Sequence, residues 1–243
     1  EFCLYWTDKD IGIDKYVYTT PSYSLGLSMH SNRTYGHELI NKEGKRTWNI
    51  SDGMTYLYTN DRNQFGQGYW ATVDPTRLPG TTVEHVVHPN GAGDRTKNVY
   101  DWTGGSYLNG FGTAGMHYKA LGTGGKRNGA DIKKSWFMFG DELVAVGSVI
   151  TSTTGNTIET IVDNRKIKAD TSNTITVEGV STNALAPTSF QNPKWMHLAG
   201  NVDGDDLGYF FPKDAALQVL KERITGDWLS MGTTSGEETN SFA

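Results

Sequence analysis

Along much of the chain, apolar residues recur at every second position. In YSLGLSM, Leu25, Leu27 and Met29 alternate with small residues, the period of a half-buried strand. MTYLYTN repeats the pattern with Met54, Tyr56 and Tyr58 on one face. KKSWFMFGDELVAVGSVI predicts two strands, over 136–139 and 143–150, turning at Gly140-Asp141. The second strand is apolar on both faces, as expected between two packed layers. TIETIVDNRK and NTITVEG continue the series at spacings typical of a sandwich. One segment reads two ways. KDAALQVLKERITGDW sets Ala216, Leu217 and Leu220 at helical spacing, with Asp214 as a cap, and also reads as a strand over 217–225. Strand is preferred. Residues 91–129 are rich in Gly and Asn and predict long loops over one sheet, a usual place for function.

These elements predict an all-β chain, and composition narrows the picture. The 243 residues suit one large all-β domain or two smaller ones. The 29 glycines and 7 prolines fall largely between short apolar runs, which favours turns over long helices. No apolar run approaches the length of a membrane-spanning helix. A net charge of -5 argues against nucleic-acid binding through a general basic field, so attraction to any polyanion has to be local. Lys42, Lys45 and Arg46 form one candidate patch, and Lys126, Arg127, Lys133 and Lys134 another. For both, solvated loop charges are the favoured reading. Cys3 is the single cysteine, which excludes an internal disulfide and a cysteine-based metal cluster. The opening run EFCLYWTDKD lacks a basic start and an apolar core, so no leader peptide is expected there, and both ends read as cuts through a longer chain.

Several motifs fail on inspection. GTGGKR is not a phosphate loop, because the position five residues before the Gly-Lys pair is Ala120; a glycine-rich hairpin accounts for it better. His85 and His88 have a spacing that some metal sites use, but no third ligand follows, and neither a metal nor a cofactor is expected. NVDGDD lacks the ligand order of a calcium loop and reads as a solvated turn. No Gly-x-Ser-x-Gly elbow is present. A paired-carboxylate glycosidase has acidic residues enough, yet nothing singles out two of them.

Four blocks carry more. LSMHSNRTYGHELINKEGKRTW, SDGMTYLYTND, YWATVDPTRLPGTTVE and KKSWFMFGDELVAVGSVI occur in the order found in the central β domain of polysaccharide lyase family 8, which the chain resembles over nearly its whole length. That family comprises hyaluronate, chondroitin AC and xanthan lyases. The resemblance implies a large antiparallel β supersandwich over 1–243. In whole enzymes that domain follows an α/α toroid and precedes a smaller β domain. It implies β-elimination: the C5 proton of a uronic acid is removed, the C4–O glycosidic bond breaks, and a 4,5-unsaturated sugar remains. The family's Asn, His, Tyr and Arg for this chemistry lie on the toroid. The resemblance thus implies a secreted bacterial enzyme for an acidic polysaccharide, hyaluronan or chondroitin ahead of xanthan, with the chain inactive by itself.

Within this chain the family's Glu-x-x-Asn matches Glu38 and Asn41. Glu38 resembles the glutamate that orients the toroid's His and Arg, a task suited to a fixed carboxylate. Asn41 resembles an amide that contacts the sugar, and turn chemistry is an equal account of it. Arg33 is placed beside substrate but reads better as a brace for the segment. Trp48 can stack on a sugar ring or pack beneath the loop. Where the family often has Asn-Gly-Glu-Asn, this chain has Asn41-Lys42-Glu43-Gly44, so the loop edge is expected to differ in shape. The alternative is a non-catalytic carbohydrate-binding or structural sandwich derived from such a lyase.

Overall fold

The computed structural model describes the backbone of residues 2–8 and 13–243 and side chains from Asp14 onward. The side chain of Cys3 and those of the opening run lie outside the described residues. The chain divides into two compact units. The first comprises Glu1–Leu57, Asp74–Asp163 and Leu229–Thr234, and the second Tyr58–Val73, Asn164–Trp228 and Ser235–Ala243.

Two four-stranded sheets build the first unit. One has the order β1 (Phe2–Asp8), β2 (Ile13–Thr19), β3 (Ser24–Met29) and β4 (Met54–Tyr58). A short strand, β5, covers Thr82–Glu84. The other sheet is an antiparallel meander of β6 (Thr103–Leu108), β7 (Phe111–Lys119), β8 (Asp131–Phe139) and β9 (Glu142–Thr151). Strand β5 pairs antiparallel with β10 (Ile158–Thr160).

The alternation read from sequence puts one face of each sheet into a shared core. Tyr16, Tyr18, Leu25, Leu27 and Met29 meet Met116, Tyr118, Ile132, Trp136 and Met138. Burial of each large side chain there contributes about 1.5–3 kcal/mol. The two tyrosines of β2 keep their polar tips satisfied: Tyr16 donates to Ser106 O at 2.9 Å and Tyr18 to Gly110 O at 2.6 Å.

Two expectations change here. Residues 91–129, read as long loops, contain β6 and the whole of the core strand β7. Glycine hides them from a propensity reading. A Cβ at Gly105 would overlap the Tyr16 ring and sit 2.7 Å from Thr113 O, so only glycine admits the ring against the hairpin. Strand β9 was expected between two layers. It lies at the end of its sheet, with Val144 43% and Val146 45% exposed, and only Leu143 packs on the core. Apolarity on both faces reports what a strand can bury, not that a second layer is there.

The second unit is also built from strands. Its three-stranded sheet has the order β11 (Lys166–Ile167), β19 (Glu237–Phe242), β18 (Glu222–Asp227). A four-stranded sheet has β12 (Ile175–Val177) between β13 (Val180–Thr182) and β15 (Trp195–Leu198), with β16 (Leu207–Phe210) outermost. Strand β14 (Thr188–Gln191) pairs with β17 (Ala216–Val219), and β18 (Glu222–Asp227) pairs with β19 (Glu237–Phe242). The segment that read two ways is therefore strand. Ile167, Ile175, Val177, Leu198 and Val219 form the core of this unit. NVDGDD is not a solvated turn throughout: Asp205 is buried, accepts from Thr59 Oγ1 and faces Arg165 at 3.8 Å. Among the described residues the one α-helix is a single turn, Tyr69–Thr72.

Gly105→Ala is expected to destabilise the protein by about 1–3 kcal/mol, the usual cost of overpacking. Gly208→Ala, whose new methyl would meet only Phe210 at 3.5 Å, is expected to change stability by less than about 0.5 kcal/mol. Urea unfolding of both variants checks the contrast, and equal losses would remove the close-approach account.

Candidate functional site

The segment from Ser31 to Ile50 leaves β3 and folds along a second loop, 89–101. The two are tied in register. Asn32 N–H donates to Tyr100 O, Gly36 N–H to Thr96 O, Arg95 N–H to His37 O and Gly91 N–H to Lys45 O, at 2.7–3.1 Å. Asp94 adds a side-chain tie, its Oδ1 accepting from Leu39 N–H at 2.7 Å. His37 is buried and donates through Nε2 to Ala92 O at 2.7 Å, and burial lowers its pKa. Glu38 is thus flanked on both sides by pinned residues.

Its own side chain is free to meet solvent. The Glu38 carboxylate is 40% exposed, and Arg95 Nε lies 3.5 Å from Oε1. Arg95 was not singled out in the sequence. It adopts a left-handed conformation, φ 51, between Gly93 and Thr96, and that turn brings its guanidinium back over Glu38. The nearby DR pair following two glycines was the available signal.

The other candidates separate. Arg33 donates to Asp101 O at 2.9 Å and Thr103 O at 3.4 Å and faces Asp14 at 3.7 Å, so its guanidinium braces the loop. Asn41 is exposed, and with Lys42 it takes left-handed φ values of 51 and 65 while Glu43 N–H closes back on Ile40 O at 2.8 Å. That turn suits Asn on conformational grounds and leaves its amide in solvent. Trp48 is 5% exposed, donates to Pro89 O at 3.2 Å, and has Arg46 over its ring. It packs beneath the loop, so no open ring face is offered to a sugar. Glu38, Asn41 and Arg33 lie on one continuous segment; Trp48 supports it.

Beneath the segment lies a buried ionic cluster that the sequence reading missed. Arg127 Nη1 donates to both oxygens of Asp52, at 2.6 and 2.8 Å, and both side chains are almost fully buried. The guanidinium sits directly under the site loop: a Cβ at Gly36 would overlap Nη2. Asp52 is the second residue of the SDGMTYLY block, and Arg127 ends GTGGKR. Lys134, also buried, donates to Gly80 O and lies over the Trp136 ring at 5.6 Å. So two of the four cations read as a solvated patch are interior groups. Burial raises the Asp52 pKa, with Arg127 opposing it, and holds Lys134 at about 8, with Asp52 opposing. His30 is fully buried, donates through Nδ1 to Ser51 O at 2.9 Å, and is kept neutral by burial and by Arg127.

No metal site emerges: among the described residues no group of three His, Cys, Asp or Glu side chains converges. His85 instead faces Glu159 at 3.2 Å, and His88 packs against Trp48. Nor does this segment bring together a nucleophile and a base. It offers an oriented carboxylate and an exposed cation.

The family model for the polysaccharide lyase family 8 super-sandwich domain matches residues 11–243. The chain belongs to polysaccharide lyase family 8. It is 44% identical over 220 residues to a xanthan lyase of Bacillus sp., covering 89% of this chain and 23% of that protein. It is 34% identical over 224 residues to a hyaluronate lyase of Enterococcus faecalis, covering 89% of this chain and 22% of that protein. The solved Paenibacillus xanthan lyase superimposes with a TM-score of 0.84 at 38% identity, over 96% of this chain and 23% of that one. A Streptomyces coelicolor chondroitin AC lyase gives 0.75 at 31% identity, over 94% and 28%. The chain therefore spans about a quarter of the length of these family 8 relatives.

The buried lysines set a pH dependence. Lys15 is also held at about 8 by burial, with Asp14 opposing, against an ordinary value of 10.5. Between about pH 8 and 10.5 the unfolded chain holds protons that the folded chain has released, so stability rises with pH. Above about pH 10 the sign reverses, because burial raises Tyr23 and Tyr118 and the unfolded chain ionises first. Urea midpoints measured from about pH 7 to 11 are expected to pass through a maximum between pH 9 and 10.5. Lys134→Met is expected to reduce the rise, and a midpoint that falls steadily from pH 8 would contradict it.

Proposed function

We propose that this chain forms one wall of the cleft of a polysaccharide lyase that cleaves a uronic-acid-containing polymer by β-elimination. The observation that carries the reading is the Glu38 carboxylate, half-open to solvent on a loop pinned at Gly36, Leu39 and Arg95. A C5 proton is weakly acidic, so charge growing on the substrate carboxylate has to be neutralised as a base takes the proton. The base and the neutralising groups are assigned to the toroid of the whole enzyme, where the family carries its Asn, His, Tyr and Arg. Glu38 then acts as a positioning residue that holds the toroid's His and Arg at the reacting sugar. Asn41, at the turn beside it, contacts the sugar through its free amide. The partners are thus the acidic polymer and the remaining domains of the same enzyme. A polymer of that size is met outside the cell, so the reading extends to a secreted bacterial enzyme.

Hyaluronan, chondroitin and xanthan all belong in the assay. The 44% identity to a xanthan lyase, against 34% to a hyaluronate lyase, makes xanthan the first to try despite the order read from sequence.

Two outcomes test this. The 243-residue chain alone is expected to give no increase in absorbance from unsaturated product on any of the three polymers. Turnover by the purified chain would require a base among its own residues. In an enzyme carrying the toroid, Glu38→Gln is expected to lower kcat roughly 10- to 100-fold with a small change in KM, since misplacing groups that act in the transition state costs rate more than binding. Asn41→Ala is expected to raise KM with a smaller effect on kcat. Unchanged kinetics for Glu38→Gln in a folded enzyme would reduce this segment to an edge loop with no positioning role.

A further inference from the structure

The second unit contains a cavity of about 320 Å³ that none of the lyase chemistry uses. Its size is at the small end of ligand sites, which run roughly 300–1,000 Å³. The turn before β12, strand β13 and the residue preceding β18 border it, and one side opens to solvent. Ser172, Thr174, Ser181, Thr182 and Asn183 line it with hydroxyls and an amide, and Lys221 closes one side. No acidic side chain is among its lining residues.

Lys221 is the unusual member. It is 4% exposed, and its ammonium donates to Thr171 O at 2.9 Å and Asn173 O at 3.1 Å. An ammonium has three protons, so two neutral carbonyls leave one donor for the cavity. Among the described residues no carboxylate forms an ion pair with Lys221, and burial lowers its pKa with no charged group opposing. A buried cation without a counter-charge is costly, and an anion entering the cavity would offset that cost. The turn itself is held rigid. Asn173 accepts from Lys168 N–H at 2.8 Å and donates to Ala199 O at 2.9 Å and Asn201 Oδ1 at 3.0 Å. Lys221 N–H donates to Ala184 O at 2.6 Å, fixing the opposite side.

We infer that this cavity is a binding site for a carboxylated sugar, with the carboxylate on Lys221 and the sugar hydroxyls on the Ser, Thr and Asn side chains around it. The chemistry requires one negative group and several hydroxyls on a small ring. A free hexuronate and a uronate residue of a polymer both supply it. The inference is independent of the role given to Glu38.

The test is titration of the isotopically labelled 243-residue chain, followed by amide NMR, with sodium glucuronate, a uronate-containing oligosaccharide, neutral mannose and inorganic sulfate. Glucuronate is expected to shift the amides of 171–174, 181–183 and 221 saturably. Mannose and sulfate should bind roughly tenfold or more weakly, the worth of a charge-assisted hydrogen bond for one and of the hydroxyl contacts for the other. Binding by the free acid but not the oligosaccharide identifies a site for the monomer, and binding by both identifies a polymer subsite. Lys221→Met is expected to abolish the shifts. Should it fail to fold, Thr174→Ala and Asn183→Ala, both at exposed positions, decide the matter by weakening glucuronate severalfold. No shifts at these amides, equal affinity for mannose or for sulfate, or full affinity in both exposed variants would overturn the inference.

Discussion

The Asp52–Arg127 pair is the constraint on which the candidate site rests. Removing two charges from water is expensive, and a pair of this kind adds little net stability over an apolar replacement. Its value is positional. Asp52 precedes β4 and belongs to the sandwich, whereas Arg127 lies in the hairpin before β8, and the guanidinium they share beneath Gly36 sets the height of the site loop. Breaking the pair by removing one partner would leave an uncompensated charge, a loss of about 3–5 kcal/mol. The loop is therefore coupled to the core through a contact that tolerates few substitutions.

From that base the geometry of the Glu38 loop follows. Gly36, Leu39 and Arg95 are pinned through Thr96, Asp94 and His37, and Glu38 emerges between them with its carboxylate open. An orienting carboxylate needs fixed backbone and accessible oxygens, and both are present. Arg95, facing Glu38 at 3.5 Å, supplies a local cation on a chain whose net charge is -5. Under the proposed role, attraction for an acidic polymer would be concentrated beside Glu38 and not spread over the surface.

Much of the fold was legible because strand alternation is a direct record of burial: Leu25, Leu27 and Met29 are inside as their spacing requires. The strands that escaped reading are those where glycine replaces the pattern. Gly105, Gly112 and Gly115 carry no side chain to alternate, yet pack against aromatic side chains contributed from elsewhere. The candidate site residues came only from the resemblance of whole blocks. Spacing alone gives Arg127 and Lys134 as solvated charges, because nothing local distinguishes a surface lysine from one buried beside Asp52. Trp48 shows the same limit, since an aromatic in a polar loop reads as a platform until its burial is known.

The central claim is that the buried pair holds the site loop. Amide hydrogen exchange in Arg127→Lys tests it, because lysine keeps the charge but loses the planar reach of the guanidinium. The account expects the amides of Gly36, Leu39 and Arg95 to exchange roughly tenfold or more faster, while those of Trp136 and Met138 in β8 keep their protection. Unchanged exchange at the three loop amides in a folded variant would contradict it.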